Sequence, residues 1–413
     1  MNPIELSPIQ MKSTAYPAWY ARLVWLLLPL CAVVFIEPAP YEAFMLLACA
    51  IAIYHSYMKF SSYMSVPMLF IGIFLVCNMI PLLFVREGLM QSMKYFMVTL
   101  YLIISWLFFI GLLNQFKESI LKIIFSGYMA AALFATTIGL LAYLHIIPDF
   151  GIMLKYDRIM GLFKDPNVFG PFLVPGVVIA LHYMVTKPRR TVLLWIGVFI
   201  FLIIGVLFSY SRAAWGNCFI ACGAYLLFPY KASLKKRLLM LFAVMLTLIP
   251  VLVYVISSPS INTMFVDRFA MKKYDDDRFG TQAKALEEVL EKPLGIGPGQ
   301  SELVYSYATH SLYVRVLTEY GVVGFTVFAL FMVFTIYRSF SVACLRGSPY
   351  NTYFIVFFAC LLGLMFNSFF IDTLHWRHFW LLFAFPWMPH DAIKPHFPRK
   401  EGFYENRTNH HTL

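Results

Sequence analysis

The stretch Thr191–Phe208 reads TVLLWIGVFIFLIIGVLF, eighteen residues without one charged side chain. As a helix it rises ~1.5 Å per residue and covers most of the ~30 Å hydrocarbon core of a bilayer. Its apolar residues do not alternate, which excludes a strand of a membrane barrel. Lipid offers the backbone no water partner, so the stretch has to be helical. Lys187-Pro188-Arg189-Arg190 precedes it and Ser209-Tyr210-Ser211-Arg212 follows. Working outward, the same pattern fills the chain: 413 residues, 61% apolar and 13% charged, against roughly 25% charged in a soluble domain. A soluble globular protein is excluded.

Twelve spans are expected: 20–36, 41–57, 66–84, 92–113, 120–147, 168–185, 191–208, 213–228, 238–256, 311–336, 353–370 and 375–388. The fold class is therefore all-α, a polytopic membrane protein with about twelve transmembrane helices. The net charge of +11 does not call for nucleic acid, because the basic residues alternate from loop to loop. Lys59, Lys117, Lys187 to Arg190, Lys231, Lys235 to Arg237, Arg338 and Arg346 fall on one side, which the positive-inside rule makes cytoplasmic. The expected organisation is a cytoplasmic N-terminus (1–19), nine helices (20–256) with an external loop at 148–167, and a large external loop (257–310). Three helices (311–388) and a cytoplasmic tail (389–413) complete it, N-in and C-in. No cleavable signal peptide is visible. All seven cysteines but Cys344 fall in apolar runs, with no disulfide framework or zinc-type pair.

Within the large loop, Phe279, Ala283, Leu286 and Leu290 recur at helical spacing before Pro293. They predict an amphipathic helix lying on the membrane or on the bundle. Gly295-Ile296-Gly297-Pro298-Gly299 lacks the Lys-Ser/Thr of a phosphate loop and reads as a turn that aims the chain toward His310. Asp275-Asp276-Asp277 reads as solvated acids. His375-Trp376-Arg377-His378 reads as an interfacial girdle.

Arginine recurs on the side where the charge rule leaves few: Arg158 and Arg212, with Arg278 in the large loop. Guanidinium groups match phosphate oxygens bidentately; each is equally readable as a snorkelling or salt-bridged loop residue. His310, followed by Ser311, opens the tenth span. A histidine at a helix N-terminus is disfavoured as imidazolium, and a neutral imidazole suits a general base; a capping or anchoring role is the alternative. Glu319 is an intramembrane carboxylate, functional or bonded to a neighbouring helix.

These features together resemble the O-antigen ligase and O-antigen or exopolysaccharide polymerase superfamily of bacterial membrane glycosyltransferases. The resemblance rests on twelve spans, a large external loop between the ninth and tenth, Ser209-x-Ser211-Arg212, and His310-Ser311 followed by nine residues and Gly321-x-x-Gly324. Arg158-x-x-Gly161 and Asp165-Pro166-Asn167 add to it. The resemblance implies an inverting enzyme without metal or cofactor. It would transfer a glycan from an undecaprenyl-diphosphate carrier to an acceptor hydroxyl at the outer face of the bacterial inner membrane. The acceptor is the lipid A core in ligases and a second lipid-linked glycan in polymerases. The ligase reading is preferred on the histidine spacing, and a secondary transporter is the more distant alternative. By resemblance, Arg212 and Arg278 bind the diphosphate, His310 takes the proton, and Arg158, Asn167, Ser211, Ser311 and Asp372 line the substrate site. Membrane lipids are the remaining partners.

Overall fold

The structure, a computed structural model, describes residues 17–36, 38–228, 273–305, 309–345, 348 and 350–388, with isolated positions between 229 and 272. The expected ninth span, the first part of the large loop, most of the N-terminal segment and the tail lie outside the described residues. The rest is all-α. In chain order come α1 (Ala18–Leu30), α2 (Pro40–Tyr54), α3 (Ser65–Met79), α4 (Leu89–Phe116), α5 (Glu118–Tyr143), α6 (Pro166–Thr186), α7 (Arg189–Phe208) and α8 (Arg212–Leu227). They are followed by α9 (Lys273–Glu291), the single turn α10 (Ser301–Val304), α11 (Leu312–Cys344), α12 (Asn351–Phe370) and α13 (Arg377–Ala384). Strands among the described residues are confined to β1 (Leu154–Lys155) and β2 (Arg158–Ile159). Among the described residues, seven helical segments are long and apolar enough to cross a membrane, and α1 and α2 are apolar but shorter.

Burial sorts these helices. In α6, 89% of the apolar window is buried, against 28% in α7, so α6 is the central helix and α7 a peripheral one. Hydrophobicity on all sides is what a central helix needs. Close approach is bought with small residues. Phe366 of α12 lies against Gly216 of α8, and Asn217 of α8 against Gly363 of α12.

The tenth span is a broken helix. Inside α11, Gly321 has φ 74° and ψ −179°, which leaves carbonyls and amides of the adjacent turns without helical partners. Residues 293–297 supply them. Ile296 N–H donates to Thr318 O (3.0 Å), Gly297 N–H to Glu319 O (3.0 Å), and Val322 N–H to Pro293 O (3.0 Å). An unmade bond of this kind costs about 1–3 kcal/mol when buried. The glycine-rich turn therefore does more than aim the chain: it is the backbone partner of the gap. Side chains are excluded from the contact, since a Cβ on Gly321 would sit 2.3 Å from Pro293 O, and one on Gly295 would sit 2.4 Å from Glu319 O.

The expected twelfth span has an eight-residue α-helix, α13, extended by a 3-10 turn at Phe385–Trp387. It still traverses the bundle, parallel to α11. Asp372 pairs with Arg315, Phe379 stacks near Phe328, Phe383 near Phe331, and Trp387 Nε1 donates to Thr335 Oγ1 (3.1 Å). Arg338 donates to the carbonyls of Pro386 and Met388. Arg315 to Arg338 is about 35 Å of helix, which residues 372–388 cover by being partly extended. Irregular backbone at that depth is tolerated where protein surrounds it, and His378 through Met388 are buried throughout. The girdle expected at 375–378 is thereby corrected. His378 and Trp376 are buried, Arg377 is paired with Glu42, and His375 Nε2 lies 3.0 Å from Thr99 Oγ1; the pull of neighbouring helices outweighs the interfacial preference of these side chains.

Replacing Gly321 with Ala is expected to cost about 1–3 kcal/mol, read as a lower thermal midpoint of the detergent-solubilised protein. Gly197→Ala, at a position with nothing within 4 Å of the added methyl, should leave the midpoint within about 0.5 kcal/mol equivalent.

Candidate functional site

Two turns of the same construction start α8 and α11. In each, a non-glycine residue in the left-handed region, Tyr210 (φ 47°) or His310 (φ 45°), precedes a serine that caps the helix. Ser211 Oγ accepts from Ala214 N–H (3.4 Å) and Ser311 Oγ accepts from Val314 N–H (3.5 Å). Left-handed backbone is costly for such residues and persists where the surroundings enforce it. Around Tyr210, Ser209 Oγ donates to Val206 O (2.6 Å) and accepts from Ser211 N–H (3.3 Å). Around His310, the buried Thr309 accepts on its carbonyl from Gln282 Nε2 of α9 (2.7 Å).

Arg158 ties the first turn to its neighbours. Tyr156 and Asp157, both at positive φ, make the two-residue loop of the β1–β2 hairpin, a turn that suits right-twisted strands. The hairpin delivers Arg158 to a buried position, where Nε donates to Ser209 O (2.9 Å) and Nη2 to Asn167 Oδ1 (2.9 Å). Asp165 caps α6 by accepting from Asn167 N–H (2.8 Å). Arg158 and Asn167 thus join three segments: the hairpin, the start of α6, and the α7–α8 turn.

The two turns meet at the last turns of α12. Phe366 lies against Gly216 in the first turns of α8. Tyr313, in the first turn of α11, donates its hydroxyl to Met365 O (3.0 Å), and its ring packs 4.4 Å from Phe369. Arg212 is the first residue of α8, half-buried, and His310 is exposed. Arg278 lies in α9 one turn before Gln282, the residue bonded to Thr309. The N-termini of α6, α8 and α11 therefore open on one end of the bundle, where the positive ends of their helix dipoles favour an anion.

Behind His310 is an ionic cluster. Arg315, buried, lies 2.6 Å from Asp372 Oδ2, 3.4 Å from Glu302 Oε1 and 3.1 Å from Glu319 Oε1, and its guanidinium stands 4.9 Å over the Tyr95 ring. Glu319 is fully buried; it accepts from Gly299 N–H (2.8 Å) and from the Ser301 hydroxyl. Tyr95 donates to Glu302. Burial alone would raise the Asp372 carboxyl; Arg315, with His375 behind it, outweighs burial and holds it below its ordinary value of 3.8. Asp372, expected beside the substrate, is engaged with Arg315 here. Arg315, Glu302 and Tyr95 were not singled out from the sequence. The available signal was an Arg and a Glu four apart in one apolar run, a pair that would share a helix face.

These elements define a polytopic helical membrane protein whose capped turns and ionic cluster gather at one end. A family model described as O-antigen ligase matches residues 197–329, about a third of the chain. The match supports the O-antigen ligase and polymerase superfamily and a membrane glycosyltransferase-like ligase or polymerase. The matched residues include Arg212, Arg278, His310, Arg315 and Gly321, while Arg158, Asn167 and Asp372 lie outside them. No curated protein matches the chain.

Arg315→Met, which leaves three carboxylates facing one another, is expected to cost about 3–5 kcal/mol, measured as denaturation midpoint. Asp372 stabilises the fold fully above its unfolded value, and that contribution is lost as pH falls through its lower folded value. The midpoint should therefore drop below pH about 4, and Asp372→Asn should flatten that decline.

Proposed function

We propose that the protein transfers a glycan from an undecaprenyl-diphosphate carrier to an acceptor hydroxyl on the periplasmic side of the bacterial inner membrane. The acceptor in this reading is the lipid A core, as in O-antigen ligases. The observation that carries it is the convergence of three helix N-termini with Arg212 at the end of the bundle where His310 begins α11. A carrier-linked diphosphate is already dianionic and gains a further negative charge as it leaves, and fixed donors aimed at that developing charge are an effective way to stabilise its departure.

In the proposed reaction the acceptor oxygen attacks the anomeric carbon and the bond from that carbon to the carrier phosphate oxygen breaks. The electron pair leaves with the diphosphate, held by Arg212 and Arg278, and the acceptor proton passes to His310. One direct displacement inverts the anomeric centre and asks for neither metal nor cofactor. The residues then contribute position and charge stabilisation more than covalent chemistry. Arg158 and Asn167 serve by holding the α7–α8 turn from which Arg212 projects, and Ser211 and Ser311 by capping the helices. Asp372 acts through Arg315, which faces it across the start of α11.

A discontinuous helix is also used by secondary transporters, at a substrate site near the bilayer midplane. The break at Gly321 is nine residues from the start of α11 and twenty-three from its end, which favours a site at the surface. Purified protein supplied with a polyprenyl-diphosphate glycan and lipid A core should form glycan on the core. His310→Ala and Arg212→Ala should each lower transfer by about 10²-fold or more with an unchanged thermal midpoint. Unchanged transfer in both variants would remove the mechanism; a ladder of longer carrier-linked glycans would assign the polymerase reaction.

A further inference from the structure

The outer face of α9 fits a partner that the bundle does not supply. At ~100° per residue the helix divides into three sectors of roughly 60–80°. Thr281, Ala285 and Val289 form one, buried against the bundle; Lys284, Glu287 and Glu291 form a second, charged and exposed. The third, Ala283, Leu286 and Leu290, is apolar and exposed, with Leu290 86% accessible. A helix wholly in water would place apolar side chains on its protein side alone. A helix lying where bundle, lipid and water meet needs three faces in this order.

The level of the helix agrees with its pattern. No residue from Ser311 to Gly321 is exposed, while from Val322 onward exposed apolar side chains recur along α11 (Val322, Val323, Leu330, Val333). The lipid-facing surface of α11 therefore begins at its break, and Gly321–Cys344 alone, about 36 Å of helix, suffices to cross the hydrocarbon. Residues 293–297 dock at that break, with Val322 N–H on Pro293 O. Leu294, 53% exposed, and Leu290 one turn before it continue the exposed row from Val322 and Val323 onto α9.

We infer that α9 is a membrane-surface helix whose Ala283, Leu286 and Leu290 stripe rests in the headgroup and acyl-chain boundary of the bilayer. Apolar burial holds it there, since the adjacent sector carries two glutamates beside its lysine and offers no basic surface for anionic lipid. Through Gln282 on Thr309 O, the helix sets the height of His310 above the lipid.

The test is a depth measurement on the full-length protein in lipid nanodiscs, with nitroxide labels on single cysteines and Cys344, an exposed native thiol, replaced by Ser. Leu286→Cys and Leu290→Cys are compared with Lys284→Cys and Glu287→Cys for collision with oxygen, which partitions into lipid, and with a water-soluble nickel chelate. The oxygen-to-nickel ratio should be several-fold higher at 286 and 290 than at 284 and 287. Equal ratios at the four positions overturn the inference. So does protection of 286 and 290 from both reagents, which would mean that protein covers the stripe. Ala283→Cys repeats the reading if either leucine variant does not fold. No substrate enters the measurement, so its outcome is independent of the proposed transfer reaction.

Discussion

A backbone that stops being helical inside a packed bundle must place its freed N–H and C=O groups on some partner. In this protein that requirement is met at Gly321 by residues 293–297, and much else follows from it. The exchange fixes the chain after α9 against the break near the start of α11, so that Gly299 and Ser301 fall beside the Glu319 carboxylate. Glu319 in turn faces Arg315, four residues earlier on the same helix, and Arg315 reaches Glu302 and Asp372. Two separated stretches of sequence, residues 293–302 and Asp372, are thus bound to the first turns of α11. Removing a single partner would leave charge stranded where burial makes it expensive.

The paired construction of the α8 and α11 starts has an energetic logic. A left-handed Tyr210 or His310 turns the chain sharply into a serine-capped helix, with Tyr210 buried and His310 exposed at the bend. The strain is carried by the surroundings: Arg158 and the Ser209 hydroxyl on one side, Gln282 and the buried Thr309 on the other. Rigid turns of this kind suit a site that must hold charge in place, since donors fixed before reaction need not reorganise during it.

The membrane helices were legible because hydrophobic length is a property of one segment at a time. The serine caps were not read as caps: Ser211 and Ser311 were expected to line a substrate site, although a serine directly before an apolar run is itself an N-cap signal. What escaped was pairing between segments. Gly295 to Gly299 and Gly321 were both visible as glycines, but nothing in either stretch announces that one fills the gap in the other. The face of α9 shows a second limit. Hydropathy located its stripe of Phe279, Ala283, Leu286 and Leu290 without distinguishing bundle from lipid, which are equally apolar. The bundle-facing row is Thr281, Ala285 and Val289, and its signal was small size at four-residue spacing. Arg377 and His378 were misread in the same way, because side chains common at an interface can also be drawn inside by a partner such as Glu42.

The partly extended crossing at 371–388 bears on how the protein is made. An eight-residue helix offers about 12 Å of apolar length, too little to partition into a bilayer by itself. Its path is defined by α4, α11 and α12: Trp106 donates to Phe383 O, Phe385 stacks on Phe357, and Arg338 closes on Pro386 and Met388. This segment therefore enters as a guest of helices already assembled, and its insertion is a tertiary folding event in place of a translocation step. Asp372 sits at its threshold, so the pairing that completes the ionic cluster behind His310 forms when the bundle closes.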